Sequence, residues 1–307
     1  MPSLRARLVE LALPLLGIKR FFSEPGKLDA RIAKLREQKP IRPRAKWHKR
    51  FAIREDGSRG FPVLTIEPKE GAPPGAPHLL YFHGGGYVMD VAAVHYDAVC
   101  KLCVELGASA TVPLYPLAPE AKALQTLGQM RQLYGELAER YGAPNITIMG
   151  DSAGGGMSLA VAQMVLDDGG DLPGSVVLFS PWLDATASDP GQIAIEPADR
   201  MLSVNGLGAC GKRYAGDLAL DDPKVSPLFG ELRGLPPIAI FAGTHDILLV
   251  DARRLVQKLS ADGMPEHMYR EYAGMFHVWM LLPVPEGKQA LAETARFIAD
   301  HRSGEVA

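Results

Sequence analysis

"NITIMGDSAGGGMSLAVAQMVLDDG", residues 145–169, decides the fold. "NITIM" is a short β-rich apolar run, the glycine-rich stretch Gly150 to Gly156 follows it, and "AGGGMSLAVAQMVLDDG" from Ala153 on has helical period. A strand that turns directly into a helix is half of a βαβ unit. The same alternation continues outward. "HLLYF" (78–82), "SATVPLY" (109–115), "SVVLFS" (175–180), "PIAIFAG" (237–243) and "HMYREY" (267–272) read as strands, with helical segments such as 121–142 between most of them. Two earlier runs, "WHKRFAIRE" (47–55) and "FPVLTIEP" (61–68), show the alternation of half-buried strands. The pattern predicts an α/β fold with a mostly parallel central sheet flanked by helices.

The chain has 307 residues, enough for one large α/β domain with insertions. Residues 1–45 are helix-like and basic, ending at the breakers Pro40 and Pro43. Between about 185 and 225 the alternation lapses into a polar, Gly- and Asp-containing stretch. The expected organisation is therefore N-terminal helices over 1–45 and a 46–307 domain with an insertion at about 185–225, the two together able to form a helical cap. The 33 Lys and Arg nearly balance 35 Asp and Glu, so net charge argues for neither nucleic acid nor an anionic membrane as partner. A small uncharged partner fits better. Three Cys cannot build a disulfide framework in a chain of this size, which points to a reducing, cytoplasmic setting. Cys100 and Cys103 have the spacing of a half-site for metal but lie in an amphipathic helix, where free Cys packs as a small hydrophobe; Cys210 reads the same way. The amino terminus places basic residues before an apolar run, but Glu10 and Pro14 interrupt it and it falls short of the ~20 residues that span a bilayer. An amphipathic surface or lid helix is expected there, with no stable membrane insertion.

Gly150-Asp151-Ser152-Ala153-Gly154 places a serine on a tight strand-to-helix turn flanked by small residues, the arrangement that pushes a hydroxyl into the open. Glycine-rich loops before helices also cradle phosphate, but this one has no Lys and no Gly-Lys-Ser/Thr. A trypsin-like Gly-Asp-Ser-Gly-Gly reading is broken by Ala153 and by the surrounding helices. A nucleophilic serine needs a base, and the base an orienting acid. Asp246 follows the strand 237–243, and His277 follows the strand beginning at His267. The chain order Ser152, Asp246, His277 is that of the strand–elbow–helix hydrolases, with each residue just after a strand.

Of the eight His, His78 heads a strand, His48 and His301 lie in charged peripheral segments, His95 sits on a helix, and His267 begins a strand. His245 neighbours the proposed acid, where both could not easily face one partner. Asp251 rivals Asp246 but falls in the following helix, as an ordinary helix acid. An oxyanion formed on attack by Ser152 needs preorganised donors. The backbone N–H of Ala153 is one, and the run His83-Gly84-Gly85-Gly86 behind a strand would bring further N–H groups close only if side chains are absent. Tyr87 and Trp182 are candidates for the pocket wall, with core packing as the alternative.

With these motifs assembled, residues from about 75 to 300 resemble the hormone-sensitive-lipase-like family of α/β-hydrolase esterases. The resemblance rests on His83-Gly84-Gly85-Gly86, on Gly150-Asp151-Ser152-Ala153-Gly154-Gly155 and on Tyr115-Pro116-Leu117-Ala118-Pro119-Glu120. It implies oxyanion donors at Gly85, Gly86 and Ala153, a turn shaped by Gly84, and a His83 that braces the loop without moving protons. It also implies a serine carboxylesterase acting on short- to medium-chain acyl esters, a cap over the site, no metal or organic cofactor, a small hydrophobic ester as partner, and a homodimer as one possible assembly, since related esterases are often dimers. The family's usual Tyr-Arg-Leu-Ala-Pro-Glu has Pro116 in place of Arg, which bears on subfamily and substrate. An amidase, lactonase or deacetylase would use the same triad, and a non-catalytic ligand-binding relative would share the fold.

Overall fold

A computed structural model describes residues 1–264 and 266–301; residues 302–307 of the expected 46–307 unit lie outside the described residues. The strands are β1 (Phe51–Asp56), β2 (Val63–Pro68), β3 (His78–Phe82), β4 (Ser109–Pro113), β5 (Ile146–Asp151), β6 (Ser175–Phe179), β7 (Ile238–His245) and β8 (His267–Phe276). They form one eight-stranded sheet in the order β1-β2-β4-β3-β5-β6-β7-β8. β2 pairs antiparallel with β1 and β4, and every pairing from β4 through β8 is parallel. The helices are α1 (Leu4–Ala12), α2 (Ile18–Ser23), α3 (Leu28–Arg36), α4 (Ala93–Leu106), α5 (Ala123–Tyr141), α6 (Ala153–Asp167), α7 (Pro190–Ile195), α8 (Val204–Ala215), α9 (Leu249–Ala261) and α10 (Pro285–Asp300).

The central strands read as continuous apolar runs because helices cover both sheet faces, and β3 to β6 are buried throughout. Each fully buried Leu, Ile or Phe contributes roughly 1.5–3 kcal/mol relative to leaving it in water. A second cluster, including Leu159, Leu178, Ile240 and Leu255, fills the space where α6 and α9 meet β6 and β7. His78 is a core residue here: its ring nitrogens lie 2.7 Å from Ser109 Oγ and 2.9 Å from Thr111 Oγ1. Burial, followed by the nearby Arg140 charge, lowers its pKa to about 3, so it is neutral. Cys100, Cys103 and Cys210 are buried, and burial raises all three thiols, Cys100 and Cys210 to about 12.

The strand expected from Trp47 begins only at Phe51; Trp47–Lys49 is a short 3₁₀ turn whose indole Nε1–H donates to Asp97 Oδ1. Residues 1–45 hold α1 to α3, and 185–225 holds α7 and α8. The two segments meet where α8 passes α2 so closely that a Cβ on Gly206 would lie 2.4 Å from the Phe22 carbonyl oxygen. Lys19 Nζ of α2 donates to the carbonyls of Glu196 (2.9 Å) and Asp199 (2.5 Å) in the other segment. Among the described residues no helix is long and apolar enough to cross a membrane.

Candidate active site

β3 and β5 are neighbours at the middle of the sheet, so the turns that leave their carboxyl ends face each other. β5 ends in Asp151, and Ser152 follows at φ 53°, ψ −121°, a conformation that costs a non-glycine residue of order 1–3 kcal/mol. The surroundings enforce it. Ser152 N–H donates to Phe179 O (2.8 Å), and Ser152 O accepts from Trp182 N–H (2.9 Å). The turn passes so near β3 that a Cβ on Gly154 would lie 2.0 Å from Phe82 O, which explains why small residues flank the serine.

The glycine loop after β3 is tied to this turn by Asp151, whose Oδ1 accepts from Gly84 N–H (2.9 Å) and from Tyr81 Oη (2.5 Å). His95 Nε2 stands 3.5 Å from the other carboxylate oxygen. Burial would raise the Asp151 pKa, but the His95 charge and these hydrogen bonds hold it below the usual value, as a carboxylate. Gly85 (φ 122°) and Gly86 (φ 61°) occupy backbone conformations that favour glycine, and a Cβ on Gly85 would lie 2.7 Å from Met89 O. Among the described residues the N–H groups of Gly85, Gly86 and Ala153 have no acceptor, while Gly85 O takes the N–H groups of Val88 and Met89. His83 stacks on Tyr115 at 4.3 Å and places Nδ1 2.7 Å from Gly84 O. Burial, then the neighbouring His95, lowers its pKa to about 4, which leaves it uncharged.

Across the cavity, β7 and β8 deliver Asp246 and His277. His277 Nδ1 lies 2.8 Å from Asp246 Oδ2, and Leu248 N–H binds Asp246 Oδ1 at 2.9 Å. A carboxylate only accepts, so Nδ1 carries the proton and Nε2 of the neutral ring presents a lone pair. Burial by itself lowers the His277 pKa, but the Asp246 charge and hydrogen bond, with smaller contributions from Asp199 and Asp151, reverse the balance and the pKa is raised. Ser152 and His277 line the same cavity of about 160 Å³, together with Gly84, Gly85, Gly86 and Asp151. Its apolar wall includes Leu16 and Phe22 from the amino-terminal segment and Leu207 from α8.

Of the two readings of Tyr87 and Trp182, pocket wall or core packing, the second fits: neither lines this cavity. Tyr87, at φ 63°, stacks its ring on Tyr214 (3.6 Å between centroids), and Trp182 packs beside it at 5.6 Å. Both are core residues. His245 turns away from His277 to pair with Glu10 of α1 at 2.7 Å. Asp251 does lie in the helix α9, but it is no ordinary helix acid. It is fully buried, accepts from the N–H groups of Leu183 (2.9 Å) and Asp184 (3.1 Å) and from Gln192 Nε2 (3.1 Å), and burial raises its pKa to about 8.

Asp199 was not singled out by the sequence. It is buried in the 185–225 segment, where Oδ1 accepts from Met201 and Leu202 N–H, and Oδ2 accepts from Ile247 N–H (3.0 Å), the residue after Asp246. Burial, then the Asp246 charge, raises its pKa to about 6. Asp151 was visible only as a member of the glycine motif, and His95 only as a helix residue.

The profile of a family described as the alpha/beta hydrolase fold matches residues 79–281. The chain is 32% identical over 224 residues to a triacylglycerol lipase of Mycobacterium tuberculosis, covering 73% of this chain but only 46% of that lipase. It is 32% identical over 223 residues to an acetyl-hydrolase of Streptomyces hygroscopicus, covering 72% of this chain and 74% of the relative. The solved structure of EstE7, an HSL-homolog from a metagenome library, superposes with a TM-score of 0.81 at 25% identity, covering 98% of this chain and 99% of that one.

Proposed function

The chain belongs to the α/β-hydrolase family, and from that premise we propose that it is a carboxylic-ester hydrolase working through Ser152, His277 and Asp246. The observation that carries this reading is the buried Asp246–His277 pair at 2.8 Å, with the strained Ser152 on the same small cavity. Ser152 Oγ attacks the ester carbonyl carbon and gives its proton to His277 Nε2. Asp246 holds the ring in the tautomer that exposes Nε2 and stabilises the imidazolium as it forms. The N–H groups of Gly85, Gly86 and Ala153 take the oxyanion; having no acceptor among the described residues, they need not break a bond to do so. Collapse of the intermediate transfers the proton from His277 to the leaving alcohol and leaves an acyl group on Ser152. Water then loses a proton to the same nitrogen and attacks the acyl carbon; as the acyl–oxygen bond breaks, His277 returns that proton to Ser152 Oγ and the acid is released.

The amino-terminal helices and the 185–225 segment act as the cap, a reading supported by Leu16, Phe22 and Leu207 on the cavity wall. A cavity of about 160 Å³ is below the ~300–1,000 Å³ common for ligand pockets and favours short acyl chains. The test is hydrolysis of p-nitrophenyl esters of graded chain length by wild type and Ser152→Ala. Turnover that peaks at short chains and vanishes in the variant supports the mechanism; a folded wild-type protein inactive on all of them overturns it.

A further inference from the structure

The helix α1 turns its apolar side outward. Ala6, and Leu13 in the 3₁₀ turn Leu13–Leu16 that follows, are buried, while Leu4, Leu8 and Leu11, spaced to share one helical face, are 59–74% exposed and Leu15 of the turn is 88% exposed. Leu16 continues the stripe. The helix is pinned in this orientation. Ser3 Oγ donates to Glu286 Oε2 (3.0 Å) and accepts from Ala6 N–H (3.1 Å), and Glu10 pairs with His245 (2.7 Å). Beside it, bounded by α1, α4 and α10, runs a groove of about 860 Å³ with Trp47, Val104 and Leu291 on its apolar wall. Its charged lining is Arg5, Lys46, Arg50, Lys101 and Lys288 against the single acid Glu105. Lys46 pairs with Asp97; the other four cations have no carboxylate partner among the described residues. In a chain of net charge −2 this is a local concentration of positive charge.

We infer that the leucine face of α1 and the adjoining basic groove form a docking surface for an anionic phospholipid bilayer. Apolar side chains on one helical face, flanked by cations, match a layer whose headgroups are negative and whose interior is hydrocarbon. The surface is continuous with the cavity described above, since Leu13 and Leu16 line that cavity and Leu282 lines both cavity and groove. A docked bilayer therefore lies at the cavity mouth. A second copy of the chain fits less well, because a two-fold contact there would set Arg5, Arg50, Lys101 and Lys288 against their own counterparts. The near-neutral whole-chain balance gave no sign of this, because it averages over the surface.

The test is co-sedimentation of the full chain with vesicles of phosphatidylcholine alone and of phosphatidylcholine mixed with phosphatidylglycerol, at low and high salt. Binding to the mixed vesicles, weak on neutral ones and reduced by salt, is the expected result. Leu8→Ser/Leu11→Ser should weaken it by about tenfold or more. Lys101→Glu/Lys288→Glu should weaken it by about twentyfold or more. Both variants should hydrolyse soluble p-nitrophenyl acetate at the wild-type rate. No binding at low salt, or equal binding to neutral vesicles, overturns the inference. So does a wild-type dimer in solution that Leu8→Ser/Leu11→Ser converts to monomer, since the face would then belong to a second copy. The readout is partition, so it stands or falls separately from the triad.

Discussion

The two sides of the cavity are held in place by different physics. On the β3–β5 side, position comes from backbone contact. The turn at Ser152 presses against β3 and β6, and Asp151 reaches across to the Gly84 amide. On the β7–β8 side, position comes from charge. Asp246 orients His277, and Asp199 arrives from a segment some fifty residues earlier to hold the Ile247 amide. That segment is itself held by Lys19 of the amino-terminal helices. Contact of the first kind is set by sterics and has little room for adjustment, whereas charge can be tuned from a distance.

The largest effect should come from Ser152→Ala, a loss in kcat on the order of 10⁴ to 10⁶, read from initial rates on a short p-nitrophenyl ester. Activity within tenfold of wild type would remove the serine from the chemistry and with it the comparison. Next is Asp246→Asn, which presents an amide where the ring needs an acceptor. The expected loss is about 10⁴-fold with little change in melting temperature. Gly85→Ala tests the side fixed by sterics. Its new Cβ would meet Met89 O at 2.7 Å in a conformation disfavoured for alanine. Displacing the N–H donors should lower kcat by about 10² to 10³ while leaving the pH profile where it was.

The smallest effect is the most discriminating. His277 accepts a proton only when neutral, and its pKa is raised, so kcat/KM should fall as pH drops through a value above that of an ordinary imidazole. Asp199 is one of the negative charges that raise it. Asp199→Asn should therefore move this acid limb to lower pH, with less than about tenfold change in rate at alkaline pH. An unmoved limb in Asp199→Asn, or a moved one in Gly85→Ala, would erase the distinction between the two sides.

Much of the fold was legible because it is local. Strand runs buried on both faces, the breakers between them, and the glycines of a turn under close approach all leave their mark within a few residues. The order of Ser152, Asp246 and His277 followed from the same logic, since residues just past parallel strands gather at one sheet edge. Pairing across the fold was not legible. Whether Asp251 is a surface acid or a buried anchor, and whether Tyr87 faces the cavity or Tyr214, depends on which segments approach, and no short-range pattern encodes that. Asp199 could not be found for the same reason, because its partner Ile247 is remote in sequence. The amino terminus divides in the same way. Its sequence by itself pointed to an amphipathic helix, because Glu10 and Pro14 interrupt a short apolar run that follows basic residues. Only the tertiary structure, through Glu286, His245 and the core position of Ala6, decided that the leucines face outward. Periodicity specifies that a helix has two faces, and the partners supplied by the rest of the chain select which one is buried.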